Sequence, residues 1–329
     1  YMLYLMSQNY DCEFLFTSDE EIGLIGTNNL DLDLQSKYML NLDSEEESGV
    51  CIGCAGGVDI FAENFNKQII ENKDKLELYE ISITNLQGGH SGVDIDKNIP
   101  NAIKLLAKTI KECNGKLLDI YAGERINSIP ANAKAIIATN QKPIASHVNM
   151  QIDKIDTVSK HLNIFDEKIV DFLYTFANGV RGYDKNLGVV LNSINLAKIE
   201  TSIDSIKIEL SARSMQNDEL QRIKDETVVL LQNHNFEVKT DGKYPAWKPD
   251  INEFTNIVLE IYKKYNENAS LEAIHAGLEC AIFKDKFPNI KVASIGPTIK
   301  FPHSKKEQVS IESIENVFKV VKQIANKYV

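Results

Sequence analysis

The hydrophobic pattern of this 329-residue chain calls for an α/β unit interrupted by an α+β insertion. Near both ends, apolar runs bounded by polar residues have the length and bulk of strands covered on both faces: Phe14-Leu15-Phe16, Tyr38-Met39-Leu40-Asn41-Leu42 and Val292-Ala293-Ser294-Ile295. The middle instead alternates polar with apolar, as in Tyr79-Glu80-Ile81-Ser82-Ile83-Thr84 and Ser205-Ile206-Lys207-Ile208-Glu209-Leu210, the pattern of a strand with one wet face. Buried character flanks alternating character, so one domain is expected inside another: residues 1–57 with 248–329 outside, and 58–247 as the insert.

Residues 1–6 read as the back half of a helix, and the amino terminus is expected to be incomplete. The strand at residues 14–16 leads into Asp19-Glu20-Glu21, and the strand at 38–42 into Asp43 and Glu45-Glu46-Glu47. Ligands of open α/β sheets bind beyond the carboxyl ends of strands, so acids placed there point to a site. Within the insert, three amphipathic helices carry the stripes Ile103, Leu106 and Ile110; Ile169, Val170, Leu173 and Phe176; and Leu220, Ile223, Leu230 and Leu231. These cover one face of an antiparallel sheet. After Tyr244-Pro245-Ala246-Trp247-Lys248-Pro249 comes a helix with Phe254, Ile257, Val258 and Ile261, then the strand at 292–295 and the turn Gly296-Pro297. A last helix starts at Ser310, has Glu312 and Glu315 in its first turns, and turns Ile314, Val317, Phe318 and Val321 inward.

Composition excludes several classes of function. Lys and Arg total 36 against 47 Asp and Glu, a net charge of −11 and a pI near 5.2, so the surface repels phosphodiester backbones and nucleic acid is not an expected partner. No apolar run approaches the roughly 20 residues that span a bilayer, and no signal peptide opens the chain, so no membrane partner is expected. Five scattered cysteines suit a reducing compartment, and the expected location is the cytoplasm.

Several clusters could carry chemistry. In Ser18-Asp19-Glu20-Glu21-Ile22-Gly23 one carboxylate can hold a metal while its neighbour accepts a proton from water, although the same residues suit a solvated acidic turn equally well. Asp43 has the rigid support of a strand end, whereas the later glutamates read as solvated. Pro302-His303-Ser304 puts an imidazole on a loop, and imidazole with carboxylates suits Zn²⁺, though a lone surface histidine reads the same way. Gly88-Gly89-His90-Ser91-Gly92 could hold a histidine toward a developing oxyanion, its glycines permitting positive φ or close approach, although by itself it reads as a tight turn with an exposed histidine. Arg213 could grip a carboxylate through its fork, although a strand-end arginine commonly faces water, and His275-Ala276-Gly277-Leu278-Glu279 could add polar contacts, although His275 reads equally well as a satisfied structural histidine. His147, His161 and His234 read as surface residues. Cys51-Ile52-Gly53-Cys54 has CxxC spacing without a second pair or a βαβ context, so a structural role is preferred. No Gly-x-Ser-x-Gly, P-loop or GxGxxG motif occurs, and no loop has EF-hand spacing.

Together these segments resemble the M20 metallopeptidases, in particular their aminoacyl-histidine dipeptidase (Xaa-His dipeptidase) branch. The resemblance rests on Thr17-Ser18-Asp19-Glu20-Glu21-Ile22-Gly23, Leu42-Asp43-Ser44-Glu45-Glu46-Glu47, Gly53-Cys54-Ala55-Gly56-Gly57, the Gly88-Gly89-His90 turn, Asn127-Ser128-Ile129-Pro130, the Tyr244 to Pro249 segment and the His275 and His303 regions, in that order. It implies a zinc-peptidase-like α/β catalytic domain, incomplete at the amino terminus, with an inserted α+β lid. It further implies Glu20 as catalytic base, His90 as a lid histidine in transition-state stabilisation, and Glu21, Asp43 and His303 as ligands of two Zn²⁺ ions, with Mn²⁺ or Co²⁺ as substitutes. Arg213, Asn127 and His275 are implied in substrate binding, the substrates being short peptides with a free carboxylate, and the lid in homodimer formation. A further histidine and a metal-bridging aspartate of the family come from segments upstream of Ser18 that these 329 residues do not contain. The expected activity is hydrolysis of Xaa-His dipeptides; the alternatives are an aminoacylase or tripeptidase of the same fold, or a non-catalytic fragment that only dimerises or binds.

Overall fold

The computed structural model describes the chain except residues 9, 21–23, 73–75, 156–159, 303–304 and 329, and the side chain of residue 3. The first part runs α1 (Met2–Ser7), α2 (Ile25–Asn28), β1 (Tyr38–Asn41), β2 (Gly49–Cys54), β3 (Gly56–Asn64), β4 (Lys67–Glu71), β5 (Glu77–Ile83) and β6 (Gly89–His90). The middle runs α3 (Ala102–Glu112), β7 (Lys116–Ala122), β8 (Ser128–Ile129), β9 (Ala133–Thr139), β10 (Met150–Ile155), β11 (His161–Phe165), α4 (Glu167–Thr175), β12 (Gly179–Asp184), β13 (Val189–Thr201), β14 (Ile206–Ser214), α5 (Asn217–Asn233) and β15 (Glu237–Tyr244). The last part runs α6 (Glu253–Tyr262), β16 (Ser270–Ile274), α7 (Glu279–Lys286), β17 (Lys291–Ser294), β18 (Ile299–Lys300), β19 (Gln308–Val309) and α8 (Ile311–Tyr328).

Two main sheets result. The smaller has the order β1-β17-β2-β16, with β1–β17 and β16–β2 parallel, and every residue of β2 is buried. Its core joins Val50 and Ile52 to Phe254, Val258 and Tyr262 of α6 and Val317, Val320 and Val321 of α8. The larger sheet has nine strands in the order β10-β5-β9-β7-β13-β14-β3-β15, with β12 on β13, and its strand pairs are antiparallel. The alternating runs expected at residues 79–84 and 205–210 lie in β5 and β14, and the three amphipathic stripes are α3, α4 and α5. Asn101 caps α3 by accepting from Ile103 N and Lys104 N, and Lys104 Nζ reaches the carbonyls of Leu173, Tyr174 and Phe176 at 2.6, 2.7 and 2.8 Å, tying α3 to the end of α4.

One expectation fails. Residues 14–16 form no strand, and Phe16 is 63 % exposed. Three apolar residues without a pairing partner do not make a ladder, so Asp19 and Glu20 follow an irregular segment.

Register fixes which side chains share a face of β13, β14, β3 and β15. Four cross-strand rows follow: Glu200, Lys207, Glu63 and Glu237; then Lys198, Glu209, Phe61 and Lys239; then Asn195, Ser211, Asp59 and Asp241; and last Ser193, Arg213, Gly57 and Tyr244. The opposite face, with Ile208, Leu210, Ala212, Val58 and Ile60, shares a core with Leu220, Ile223 and Leu231 of α5.

Candidate active site

The segment bearing Glu20 is a braced loop. Thr17 and Thr27 both donate hydroxyl hydrogen bonds to the carboxylate of Glu279, the first residue of α7, the former at 2.9 Å. Between them the N–H groups of Leu24, Ile25 and Gly26 donate to the carbonyls of Glu20, Asp19 and Ser18 at 2.9, 3.2 and 3.0 Å. A Cβ on Gly26 would lie 2.4 Å from Ser18 O, which is why glycine stands there. Asp19 and Leu24 have φ of 56° and 57°, left-handed conformations that cost roughly 1–2 kcal/mol each for an L-residue. Glu20 is half-buried beside this strain. Glu21 lies outside the described residues. Glu279, only 8 % exposed, is the site residue the sequence undervalued, because nothing local to it signals that two threonines far upstream converge on its carboxylate.

Asp43 sits on a turn beyond β1. Its N–H donates to Asn41 Oδ1 at 3.1 Å, the same oxygen accepts from Ser294 Oγ at 2.6 Å, and Ser294 Oγ is 2.8 Å from Ser44 Oγ. Gly296 lets the returning chain pass: a Cβ there would lie 1.6 Å from Ser44 O. The exposed carboxylate therefore has the rigid backing a ligand needs. Glu47 is not simply solvated, since it accepts from Asn316 Nδ2 of α8 at 2.9 Å. Burial holds the Cys280 thiol well above its ordinary pKa, with further upward pushes from Cys54, Cys51, Asp43 and Glu279. The Glu20 loop is thus tied to the start of α7, and the charge of Asp43 is felt at Cys280 in the same helix. His303 lies outside the described residues.

A second group assembles where the large sheet meets the His275 loop. His90 pairs with Ser128 in the ribbon of β6 and β8, and its Nδ1 accepts the N–H of Gly92 at 3.1 Å and of Val93 at 3.2 Å. A ring nitrogen that accepts carries no proton, so neutral His90 holds its hydrogen on Nε2 and is a donor there. Of the three glycines in this turn only Gly88 takes a positive φ; Gly92 is needed for space, because a Cβ would lie 2.3 Å from His275 O. His275 is 4 % exposed and its Nε2 lies 2.7 Å from Ser193 Oγ. Burial, helped by the charge of Arg213 and by His90 and opposed by a weak approach to the Val190 backbone, lowers its pKa to about 3, so it is neutral at physiological pH. Arg213, 8 % exposed, donates from Nη1 to the Tyr244 hydroxyl at 2.7 Å. Asn127 enters through its backbone: its carbonyl accepts from Ser91 N at 2.9 Å while its side chain is exposed.

Four buried polar atoms of this group have no hydrogen-bond partner among the described residues: Ser91 Oγ, Asn195 Oδ1, Arg213 Nε and His275 Nδ1. Each such atom costs about 1–3 kcal/mol, so their gathering marks a place built to meet polar atoms of something else. The chain from His275 to Glu279 links the two groups, and four residue steps span at most roughly 14 Å.

Cys51 and Cys54 lie in β2, both buried, and burial is the main force pushing each thiol up to about 12. They are inert thiols, in line with the structural reading.

Residues 4–327 match Peptidase family M20/M25/M40. The chain belongs to this family. It is 32 % identical to the cytosol non-specific dipeptidase of Escherichia coli (strain K12) over 346 residues, covering 95 % of this chain and 70 % of that protein. Among solved structures it is similar to the aminoacylhistidine dipeptidase of Vibrio alginolyticus, with a TM-score of 0.81, 28 % identity, and coverage of 94 % of this chain and 69 % of that one. The aminopeptidase PepT of Bacillus cereus ATCC 10987 shares the fold at a TM-score of 0.50 and 14 % identity, covering 99 % of this chain and 67 % of that one. The mixed α/β architecture is thus that of M20 peptidases, and the chemistry of the family is peptide-bond hydrolysis. Among the described residues no group of three His, Cys, Asp or Glu side chains is gathered at metal-binding range, and no helix is long and apolar enough to cross a membrane.

Proposed function

We propose that this M20 protein is a cytoplasmic dipeptidase acting on Xaa-His and related dipeptides with a free carboxylate, with Glu20 as general base. The observation that carries the reading is the meeting of His90, His275 and Arg213, from three distant parts of the chain, around unpaired donors and acceptors. Arg213 would take the substrate's carboxylate, which limits substrates to short peptides. Neutral His275, its Nε2 engaged by Ser193, can accept or donate at Nδ1 without bringing a second buried positive charge beside Arg213. His90 would donate from Nε2 to the oxygen that gains charge as the carbonyl is attacked. Glu20 would take a proton from the attacking water and return it to the departing amine. The loop that carries Glu20 is braced by Thr17 and Thr27, which donate to the Glu279 carboxylate.

The donor types fit a divalent metal: Glu21, Asp43 and His303 offer two carboxylates and an imidazole, the set that Zn²⁺ takes, and Asp43 stands on a braced turn. A Zn²⁺ pair bound there would supply Lewis acidity for the carbonyl and a lowered pKa for water.

The test is hydrolysis of unblocked Xaa-His dipeptides beside N-acyl amino acids and tripeptides, with the zinc-loaded protein and its Glu20→Gln variant. The reading expects dipeptides to be preferred and the variant to lose about 10²–10⁴-fold in kcat. Parental activity in the variant, or a preference for N-acyl amino acids, overturns it.

A further inference from the structure

The last cross-strand row, Ser193, Arg213, Gly57 and Tyr244, lies on one face of four neighbouring strands. Arg213 and Tyr244 are two strands apart, roughly 10 Å at the backbone, and a side chain between them would keep them from touching. Gly57 has none. A Cβ there would lie 2.6 Å from both Cζ and the hydroxyl oxygen of Tyr244, so the ring occupies the space above Gly57 and its hydroxyl reaches Arg213 Nη1 at 2.7 Å. Gly277, in the loop that carries His275, meets the same ring: a Cβ there would lie 2.8 Å from Tyr244 Cε2. Two glycines, one in β3 and one in the loop after β16, therefore shape the slot that fixes this phenol against the guanidinium.

Arg213 donates in that bond, so the phenol oxygen accepts and keeps its own proton to give. Burial raises the Tyr244 pKa above its ordinary value, the Arg213 charge opposing, and the hydroxyl stays protonated at neutral pH. Arg213 Nε is unpaired among the described residues, and no ion pair to a described residue satisfies its charge. A buried cation with donors to spare and a phenol with a proton to give, fixed side by side, suit a carboxylate.

We propose that Tyr244 is a positioning and specificity-determining residue of this peptidase: it fixes the fork of Arg213 and adds its own O–H donor to the seat of the substrate's free carboxylate. This rests on the dipeptidase reading, which supplies the carboxylate. The Arg213–Tyr244 pair offers donors only, which match both oxygens of a carboxylate but would face the NH₂ of a carboxamide, so the pair selects free acids over carboxyl-terminal amides.

Two measurements on the parental protein and Tyr244→Phe test this. The variant keeps the ring that fills the Gly57 and Gly277 spaces and removes only the hydroxyl. In the first, metal-free protein is titrated with L-histidine and with L-histidinamide while the Arg213 Nε–H resonance is followed by NMR. Histidine should move that resonance and histidinamide should not, and Tyr244→Phe should bind histidine about tenfold more weakly. In the second, the zinc-loaded variant should show a KM about tenfold higher for a free-acid dipeptide, with kcat nearly unchanged and with KM for the dipeptide amide unchanged. Equal losses on acid and amide would mean a merely structural tyrosine and overturn the proposal, as would a variant that binds histidine like the parent. Histidine binding at Arg213 without hydrolysis of any dipeptide would overturn the dipeptidase reading and leave the seat standing. Hydrolysis with no effect of Tyr244→Phe would do the reverse.

Discussion

The same four strands, on the same face, end in two different environments. At one end of β13, β14 and β3 the rows are charged and wet: Lys207 lies 3.9 Å from Glu63, and Lys198 lies 3.4 and 3.3 Å from Glu209 and Glu200. At the other end Ser193 and Arg213 are buried, because the His275 loop of the small sheet closes over them. In β14 the exposed-and-buried alternation of residues 206–210 gives way to continuous burial from Ser211 to Ser214. The wet end pairs its cations with acids, whereas Arg213 at the covered end hydrogen-bonds a phenol, and Asp59 in the next row feels its charge without forming an ion pair with it. The wet end neutralises its charges within the sheet, whereas the covered end keeps a buried cation that forms no ion pair with a described residue, which makes it the candidate end for a ligand.

The largest expected consequence is a pH dependence confined to the covered end. His275 has a folded pKa of about 3 against 6.5 for the free side chain, with burial the leading cause. Below pH 6.5 the unfolded chain takes up a proton there and the folded chain does not, so the unfolded state binds more protons and stability falls as pH falls. The slope should be about 1.4 kcal/mol per pH unit between roughly 6.5 and 3, on the order of 5 kcal/mol in all. Urea midpoints across that window measure it. In His275→Asn the slope should drop by this amount whatever the variant's absolute stability, and an unchanged slope would contradict the neutral, buried imidazole.

Next in size is the slot under Tyr244. Gly57→Ala places a methyl in the space of the phenol ring and should destabilise by about 1–3 kcal/mol. Phe61→Ala, on the same strand and face but 36 % exposed, should cost less, about 1 kcal/mol or below. Equal losses in thermal or urea unfolding would break the contrast between the two ends.

Much of this could be read from the residues, and the part that could not has a physical reason. Ile206, Ile208 and Leu210 announce a half-wet strand because alternation is a local property, as do the stripes of α3, α4 and α5. Phe14-Leu15-Phe16 misled because apolar character predicts burial, while a strand also needs a neighbour to bond with. His90, Arg213 and His275 could be named as polar residues at turns and strand ends, but their meeting depends on Gly92 passing under the His275 carbonyl, a contact between parts of the chain far apart in sequence. Tyr244 and Glu279 can be read only within longer segments, with no role of their own, for the same reason: each meets a partner from another element, Arg213 in one case and Thr17 with Thr27 in the other.

A smaller effect is expected when the covered pair is removed whole. Arg213→Met alone leaves the Tyr244 hydroxyl without its donor, but Arg213→Met with Tyr244→Phe replaces both polar partners by apolar groups of similar shape, which is commonly near neutral or stabilising. The double variant should unfold within about 1 kcal/mol of the parent while losing the ability to bind histidine. A large loss of stability in the double variant would mean that the pair holds the fold together.

The smallest effect belongs to the wet end. Lys207 is exposed at 49 % and Glu63 half-buried at 34 %, and pairs this close to water contribute about 0–1 kcal/mol because water and salt screen them. Lys207→Met should shift stability by no more than about 0.5 kcal/mol, and 1 M NaCl should abolish even that. Screening discriminates the two ends more sharply than the substitution does: the Debye length of about 3 Å at 1 M applies to charges in water, and a carboxylate seated against Arg213 would be largely out of water. Binding of histidine should therefore lose proportionally less between 0.1 M and 1 M NaCl than the Lys207–Glu63 coupling measured by a double-mutant cycle. If both fall together, Arg213 is reached through solvent and the covered end is not covered when it binds.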